Sequence, residues 1–372
     1  MKYEMKITIV LRAPFLDRIP SLKNLIIYLA NQGIRIKIIS TSDSNYPPSK
    51  FSNLNIKLIK TSVRTKKFQK PTVVGLAHNV ICDFLFDKSD LYIGADSFAC
   101  KLLYQMRKVF SFKFWDFLLE YPELDDLQDR IILNTVSKII THDKWHSDFL
   151  NANFGTSESQ FLYLPNSTFT EETHLNSKFL HERLSIDPTQ HIILHSGGLG
   201  KWFLCKELSE NSSHLGKNSL IVFHTSHNTT GTTYFSELKD MVEIRKLPVK
   251  FSLNPVSDKE LDELVASASI GVAFYSIKDL GYKAEYMGVA AGKIGNYLKC
   301  GVPVICTRLP SLKYIEDYKC GVLIDDFSQL SDAVSTILNR HDEYRDNAYK
   351  CYRELWAPLP YLEKILSCIN SL

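Results

Sequence analysis

The stretch Ala291-Gly292-Lys293-Ile294-Gly295-Asn296-Tyr297-Leu298-Lys299-Cys300-Gly301-Val302-Pro303-Val304-Ile305-Cys306 reads as a helix start, a short amphipathic helix, a glycine stop and a buried strand. Gly292 lets backbone approach a ligand closely, and Lys293 falls in the first helical turn. A helix N-terminus already carries roughly +0.5 of a charge, so cations are usually placed at the other end. A lysine there makes sense when an anion joins it, because unpaired first-turn amides and an ammonium together form a phosphate site. Gly301 ends the helix, Pro303 blocks its continuation, and Val302, Val304 and Ile305 supply a core strand. The plain alternative is a surface lysine on an ordinary α/β helix.

The same pattern of strand, loop and helix extends in both directions. Upstream, the strand 191–195 leads into Ser196-Gly197-Gly198-Leu199-Gly200-Lys201 and a helix from 202. Strands follow at 219–223, 249–251 and 270–274, with a helix at 257–268 whose Asp258 and Glu260 suit its first turn. Residues 275–291 read as a loop, and its Tyr275, Tyr282 and Tyr286 could stack on a base or sugar or simply fill the loop. Downstream come a short helix at 314–317, a strand at 321–324, a helix at 328–339, and an apolar helix after Pro358 and Pro360. The first half alternates in the same way, with strands at 6–11, 34–40, 54–59, 91–95, 108–115, 138–141 and 161–164. Helices at 21–31, 72–86, 97–107, 125–138 and 143–151 lie between them. Residues 166–188 are polar and aperiodic and read as a linker. Alternating strands and helices imply parallel sheets. The expectation is therefore an α/β chain of two Rossmann-like domains facing across a cleft, at 1–170 and 185–353. A C-terminal helix, 354–372, would cross back to the first.

Length agrees, since 372 residues at roughly 150 per domain give two. With 45% hydrophobic and 23% charged residues, the chain has ample core. No apolar run reaches the ~18 residues that span a bilayer. The start, Met1-Lys2-Tyr3-Glu4, runs into a strand without a signal-peptide pattern. The eight cysteines form no CxxC pair, which suggests reduced core thiols and a cytoplasmic chain. Charge is uneven: residues 1–165 hold 22 Lys and Arg against 16 Asp and Glu, and the remainder 22 against 25. The excess gathers at Lys57, Lys60, Arg64, Lys66, Lys67 and Lys70, with no acid between Asp43 and Asp83. Such a segment suits an anionic membrane surface, and hence a peripheral position on its inner face, or else it is a solvated loop. Nucleic acid is not expected, because Phe68 is the segment's one aromatic and a stacking platform needs more. His224 and His227 follow a strand at a spacing that puts them on opposite faces, so no metal site is expected there.

Three features together resemble the donor half of GT-B fold glycosyltransferases: residues 191–201 with their Gly-Gly-Leu-Gly-Lys, residues 268–274, and the stretch 292–305. Pro310-Ser311-Leu312, Tyr314-Ile315 and Gly321-Val322-Leu323 continue the likeness, which is specific over about 190–325. The resemblance implies transfer of a sugar, a hexose in expectation, from a nucleotide-diphosphate sugar such as a UDP-sugar to a hydroxyl of a glycan or lipid-linked acceptor in polysaccharide assembly. It places donor contacts on Gly198, Gly200, Lys201, Gly292, Lys293 and Asn296, with acceptor binding in the first domain. No cofactor and no metal are implied, since two lysines and helix-start amides can neutralise the leaving diphosphate and no Asp-x-Asp motif occurs.

Two departures bear on turnover. Many retaining members carry two glutamates eight positions apart, where this chain has Gly288 and Asn296. The glycine-rich loop after the first strand is replaced by 12–18. A catalytically inactive GT-B scaffold that binds nucleotide or glycan is the alternative these raise. For an acceptor base the candidates are Asp116, then Asp17, then Glu120, each a carboxylate near a strand end; a helix cap or loop carboxylate is the bland reading of each. His142 and Asp143 are explained by Asp143 capping a helix. A dehydrogenase is disfavoured because no G-x-G-x-x-G follows the first strand.

Overall fold

The computed structural model describes residues 4–14, 16, 19–42, 50–62, 70–168, 171–216, 218–225 and 231–372. Asp17, Arg64, Lys66, Lys67 and His227 lie outside them. The chain divides into two compact units, Met1–Phe169 with Pro358–Leu372, and Thr170–Ala357.

Unit 1 is built on β1 (Lys6–Leu11), β2 (Arg35–Ser42), β3 (Ile56–Ser62), β4 (Leu91–Gly94), β5 (Lys113–Phe117), β6 (Lys138–Thr141) and β7 (Phe161–Tyr163). Their order is β3-β2-β1-β4-β5-β6-β7, with every neighbour parallel. Register follows apolar alternation: Ile7 and Ile9 of β1 face Ile36 and Ile38 on one side and Leu91 and Ile93 on the other. The helix Pro20–Asn31 opens with proline, whose missing N–H costs nothing in a first turn. It buries Leu22, Leu25, Ile26 and Leu29 in the core that Leu362, Ile365 and Ile369 of the helix Leu359–Asn370 also enter.

Unit 2 holds β8 (His191–Ser196), β9 (Ser219–His224), β10 (Val249–Ser252), β11 (Ile270–Ala273), β12 (Val304–Thr307) and β13 (Gly321–Ile324), in the order β10-β9-β8-β11-β12-β13. These strands too are parallel. Successive side chains enter opposite cores: Ile192, Leu194, Leu220, Val222, Val304 and Cys306 one, Ile193, Ile221, Phe223 and Ile305 the other. Burial on both faces explains why these strands read as unbroken apolar runs.

Several elements differ from the sequence reading. β5 begins at Lys113 rather than 108 and runs through Asp116, because the helix Ser97–Arg107 unwinds over Lys108–Phe110, whose amides bond back to Gln105 and Met106. The helix expected over 125–138 is only Leu127–Leu133; Asp126 caps it through Gln128 N and Asp129 N. The linker carries a helix, Phe179–Leu184. After Gly200 a single turn, Lys201–Phe203, precedes Leu204 at φ +52°, which delays the helix to Cys205–Glu210. Residues 275–291 contain three one-turn helices. The helix His341–Cys351 continues as a π-turn, Tyr352–Trp356, and the chain re-enters unit 1 at Pro358. Ser257 and Glu260 form a capping box on the helix Asp258–Ala266, as its acidic first turn suggested. All eight cysteines are free, and six are buried.

Close backbone approach is most demanding at Gly321, where an added Cβ would stand 2.1 Å from the Val304 carbonyl oxygen across β12 and β13. Backbone cannot step aside as a side chain can, so Gly321→Ala should cost at least about 3 kcal/mol. At roughly 2–4 °C per kcal/mol in a unit of this size, its melting temperature should fall by about 6 °C or more. A calorimetric scan showing no change would mean that the strands part freely.

Candidate functional site

In unit 2 the chain builds β8, β9 and β10 outward on one side, then crosses to β11 on the other. Between β8 and β11 the loops therefore diverge, and open α/β sheets bind ligands beyond the carboxyl ends of strands at such a point. Two segments meet here. One is the glycine loop after β8, the other the helix Gly292–Lys299 between β11 and β12.

Gly197 opens the loop at φ +137°, a conformation side chains resist, and its N–H is tied to the His224 carbonyl at the end of β9. The helix is fixed from its far side. Tyr297 is fully buried, donates its hydroxyl to Leu194 O at 2.9 Å and accepts from Ser196 N at 2.7 Å. Its ring lies on Gly271, where a Cβ would approach to 2.4 Å. Lys299, also buried, is paired with Asp262 at 2.5 Å. These contacts hold the C-terminal half of the helix, and at its start Ala291 provides no side-chain cap. The first-turn amides thus lack an internal acceptor side chain.

Lys293 stands in this uncapped turn. Its ammonium is buried and has no hydrogen-bond partner among the described residues, with Nζ 3.9 Å above the Phe203 ring and 5.8 Å from Tyr275. A Cβ on Gly197 would lie 3.6 Å from the same nitrogen, so the glycine keeps the space before it open. Burial lowers its pKa to about 8. His195, near the end of β8, donates Nε2–H to Gly198 O at 2.9 Å and packs edge-on against Phe203. Burial, then the Lys293 charge, holds it neutral, and its Nδ1 has no partner. An unpaired buried cation is costly, and such groups are found neutralised or paired. The arrangement can receive an anion.

Unit 1 shows what the same place looks like when filled. Its switch point lies between β1 and β4, and there Asp96 accepts from Ala99 N at 2.7 Å, capping the helix Ser97–Arg107. The same carboxylate takes Arg12 N at 2.6 Å and Ala13 N at 3.2 Å from the loop after β1. Unit 1 supplies its own anion to its helix start and unit 2 supplies a cation.

The remaining predicted residues divide. Gly198 borders Phe203, Gly200 borders Trp202, and Asn296 is half-buried one turn along from Lys293. Lys201 is exposed, and its charge acts on Glu237, the ion partner of Lys206. Tyr275 is buried against Phe203, whereas Tyr282 and Tyr286 are partly exposed. Gly288 sits buried at φ +45° with its N–H on the Ser311 hydroxyl. His195, Phe203 and Gly197 were missed. The signal for His195 was a polar residue near the end of an apolar strand, one serine before two glycines.

In unit 1, Asp116 lies buried on β5 and accepts the Cys100 thiol at 3.2 Å. Burial, reinforced by Asp129 and Asp96, raises its pKa to about 7. Glu120 is exposed. Asp143 does cap its helix, through His146 N at 3.0 Å. His224 is bonded to Ser252 O. Among the described residues no cluster of His, Cys, Asp and Glu fits a metal ion, and no helix is long and apolar enough to cross a membrane.

No family model matches the chain, and no curated protein does. Solved structures do. HepE from Anabaena, solved in complex with UDP-glucose, superposes with a TM-score of 0.72 at 13% identity, covering 99% of this chain and 100% of its own. Sucrose-phosphate synthase from Thermosynechococcus elongatus gives 0.74 at 12%, covering 99% of each. A glycosyltransferase from Rickettsia africae gives 0.69 at 13%, covering 99% of this chain and 98% of that one. The fold is the GT-B fold.

Proposed function

We propose that this chain is a glycosyltransferase that moves a sugar, in expectation a hexose, from a nucleotide-diphosphate sugar to a hydroxyl of a glycan or lipid-linked acceptor, without a metal. The buried, unpartnered Lys293 ammonium at an uncapped helix start carries the reading. Negative charge builds on the leaving diphosphate in the transition state, and fixed donors aimed at it lower the barrier most. Lys293 and the first-turn amides supply them. Gly198, Gly200 and Gly292 allow the phosphates to approach backbone, Lys201 closes on them from the exposed side, and Asn296 orients the ribose or sugar. HepE was solved with UDP-glucose and with UDP, which supports a UDP-sugar as donor. Asp116, with a pKa raised to about 7, is the preferred acceptor base, ahead of Asp17 and Glu120. A cytoplasmic chain resting on the inner face of a membrane through Lys57, Lys60, Arg64, Lys66, Lys67 and Lys70 would meet a lipid-linked acceptor there.

One observation favours a second reading, binding without turnover. The positions where many retaining members carry glutamates are Gly288 and Asn296, and a glutamate at 288 would be strained at its positive φ.

A thermal-shift screen against UDP, GDP, CDP, TDP and ADP, with NAD as control, tests the donor site. At a hundredfold excess over Kd a ligand adds ~2.7 kcal/mol, a shift of several degrees. One diphosphate should respond and NAD should not. Lys201→Ala should weaken that response by about fivefold in Kd, an exposed cation being worth roughly 1 kcal/mol. UDP release from UDP-sugars in the presence of acceptor then separates the enzyme from the silent scaffold.

A further inference from the structure

The helix Lys70–Phe86, 17 residues long, follows the basic segment and lies on edge strand β3 of unit 1. Asn79 Nδ2 bonds to Thr61 Oγ1 at 2.8 Å, and Gly75 meets the Thr61 methyl. Its inner face is Leu76, Val80 and Asp83, all buried, with Asp83 paired to Lys37 at 2.6 Å. Helical geometry places Val74, His78, Ile81 and Leu85 on the opposite face. That solvent face bears no charge. Val74 is 67% exposed, Leu85 57% and Phe86 83%, and Val109 beyond Phe110, whose ring touches Phe84 at 4.5 Å, is 77% exposed. A surface helix ordinarily turns charged residues outward, and a contiguous apolar patch on a solvent face marks an interaction site.

The charges around it select the occupant. Lys88, beside Phe84, and Arg107 and Lys108, beside Val109, form no ion pair among the described residues. Lys57, on the same face of β3 as Thr61, forms none either, and Lys60 projects from the other face of that strand. The nearby acids are engaged: Asp87 with Lys6 and Lys37, Asp90 with the Lys6 amide. An apolar strip rimmed by unmatched cations complements an anionic lipid surface, where side chains enter the acyl boundary and ammoniums meet headgroups. A second copy docked by the same face would set its cations against their own kind.

We propose that the Val74–Leu85 face of this helix, with Phe86 and Val109, inserts into the interface of an anionic bilayer and lies along it. The inference rests on the proposed membrane contact of the basic segment and adds the part of unit 1 that enters the lipid.

Flotation of the full chain with phosphatidylcholine vesicles, with and without 30% phosphatidylglycerol, tests it, alongside light scattering for oligomeric state. The anionic vesicles should bind at least tenfold more protein. Ile81→Glu with Leu85→Glu should reduce that at least tenfold while the melting temperature holds, and Ile244→Glu, an exposed residue in unit 2, should not. If Lys57→Glu with Lys60→Glu loses binding and the Ile81/Leu85 variant keeps it, headgroup attraction stands and insertion is overturned. Equal binding to both vesicle types overturns the anionic requirement. A dimer dispersed by the Ile81/Leu85 variant, without vesicle binding, assigns the face to a second copy instead. Vesicle binding is measured without nucleotide, so failure here leaves the donor-site reading intact.

Discussion

Lys293→Met should make the free protein more stable and its nucleotide-diphosphate binding at least about 30-fold weaker. The two effects share one cause. In the free chain the ammonium is buried above Phe203 with no hydrogen-bond acceptor, and replacing such a charge by an apolar side chain of similar length gains about 1–3 kcal/mol. In the complex the same charge meets phosphate oxygens, and losing a charged hydrogen bond of roughly 2 kcal/mol weakens binding about 30-fold. The sign of the pH dependence follows from the lowered pKa of about 8. Between that value and the ordinary lysine value the unfolded chain binds more protons than the folded one, so stability rises with pH across the window. The penalty is complete below pH 8 and disappears as the unfolded lysine also deprotonates. Lys293→Met should abolish that rise. Chemical denaturation at pH 7 and pH 10 measures it; equal slopes in both proteins would show that the ammonium pays nothing for its burial.

Asp116→Asn should stabilise unit 1 at pH 8 and cut turnover at least a hundredfold while donor binding is unchanged. Burial is the first cause of the raised pKa of about 7, with Asp129 and Asp96 adding repulsion. Here the folded chain binds the extra proton, so stability is fully present below the ordinary carboxylate value and lost as pH rises through 7. Ionised Asp116 therefore costs about 2–4 kcal/mol near pH 8, and asparagine removes most of that while keeping the shape. A general base contributes typically 10²–10⁴-fold. Stability gained with turnover intact would leave Asp116 as a core carboxyl bonded to Cys100 and move the base to Glu120 or Asp17.

The sheets were legible in the sequence because parallel strands, buried on both faces, write themselves as apolar runs. The strands 6–11, 138–141 and 321–324 stand where those runs placed them. Boundaries set by side-chain bonds were harder to read. Asp126 capping its helix and Leu204 in a left-handed conformation leave no periodic trace. At the site, Gly292 and Lys293 were readable because a cation in a first helical turn breaks a local electrostatic rule. What the sequence could not show is that the Lys293 ammonium is buried without a partner among the described residues, that Phe203 lies beneath it, or that His195 is neutral beside it. These depend on β8 and β11 becoming neighbours although β9 and β10 separate them in the chain. Asp116 was noticed as a strand-end carboxylate; its raised pKa comes from burial, with repulsion from Asp129 and Asp96, which long-range packing assembles around it.

The central claim is that a diphosphate pairs with Lys293, and proton uptake on binding reads this directly. Burial lowers the lysine's pKa to about 8, and an anion beside it raises that pKa, so binding near pH 8 takes up protons. Titration calorimetry with UDP at pH 8, in two buffers of different ionisation enthalpy, should show net proton uptake on UDP binding. The uptake should vanish in Lys293→Met. UDP binding with no proton uptake at pH 8, or with uptake that survives in Lys293→Met, would contradict the assignment.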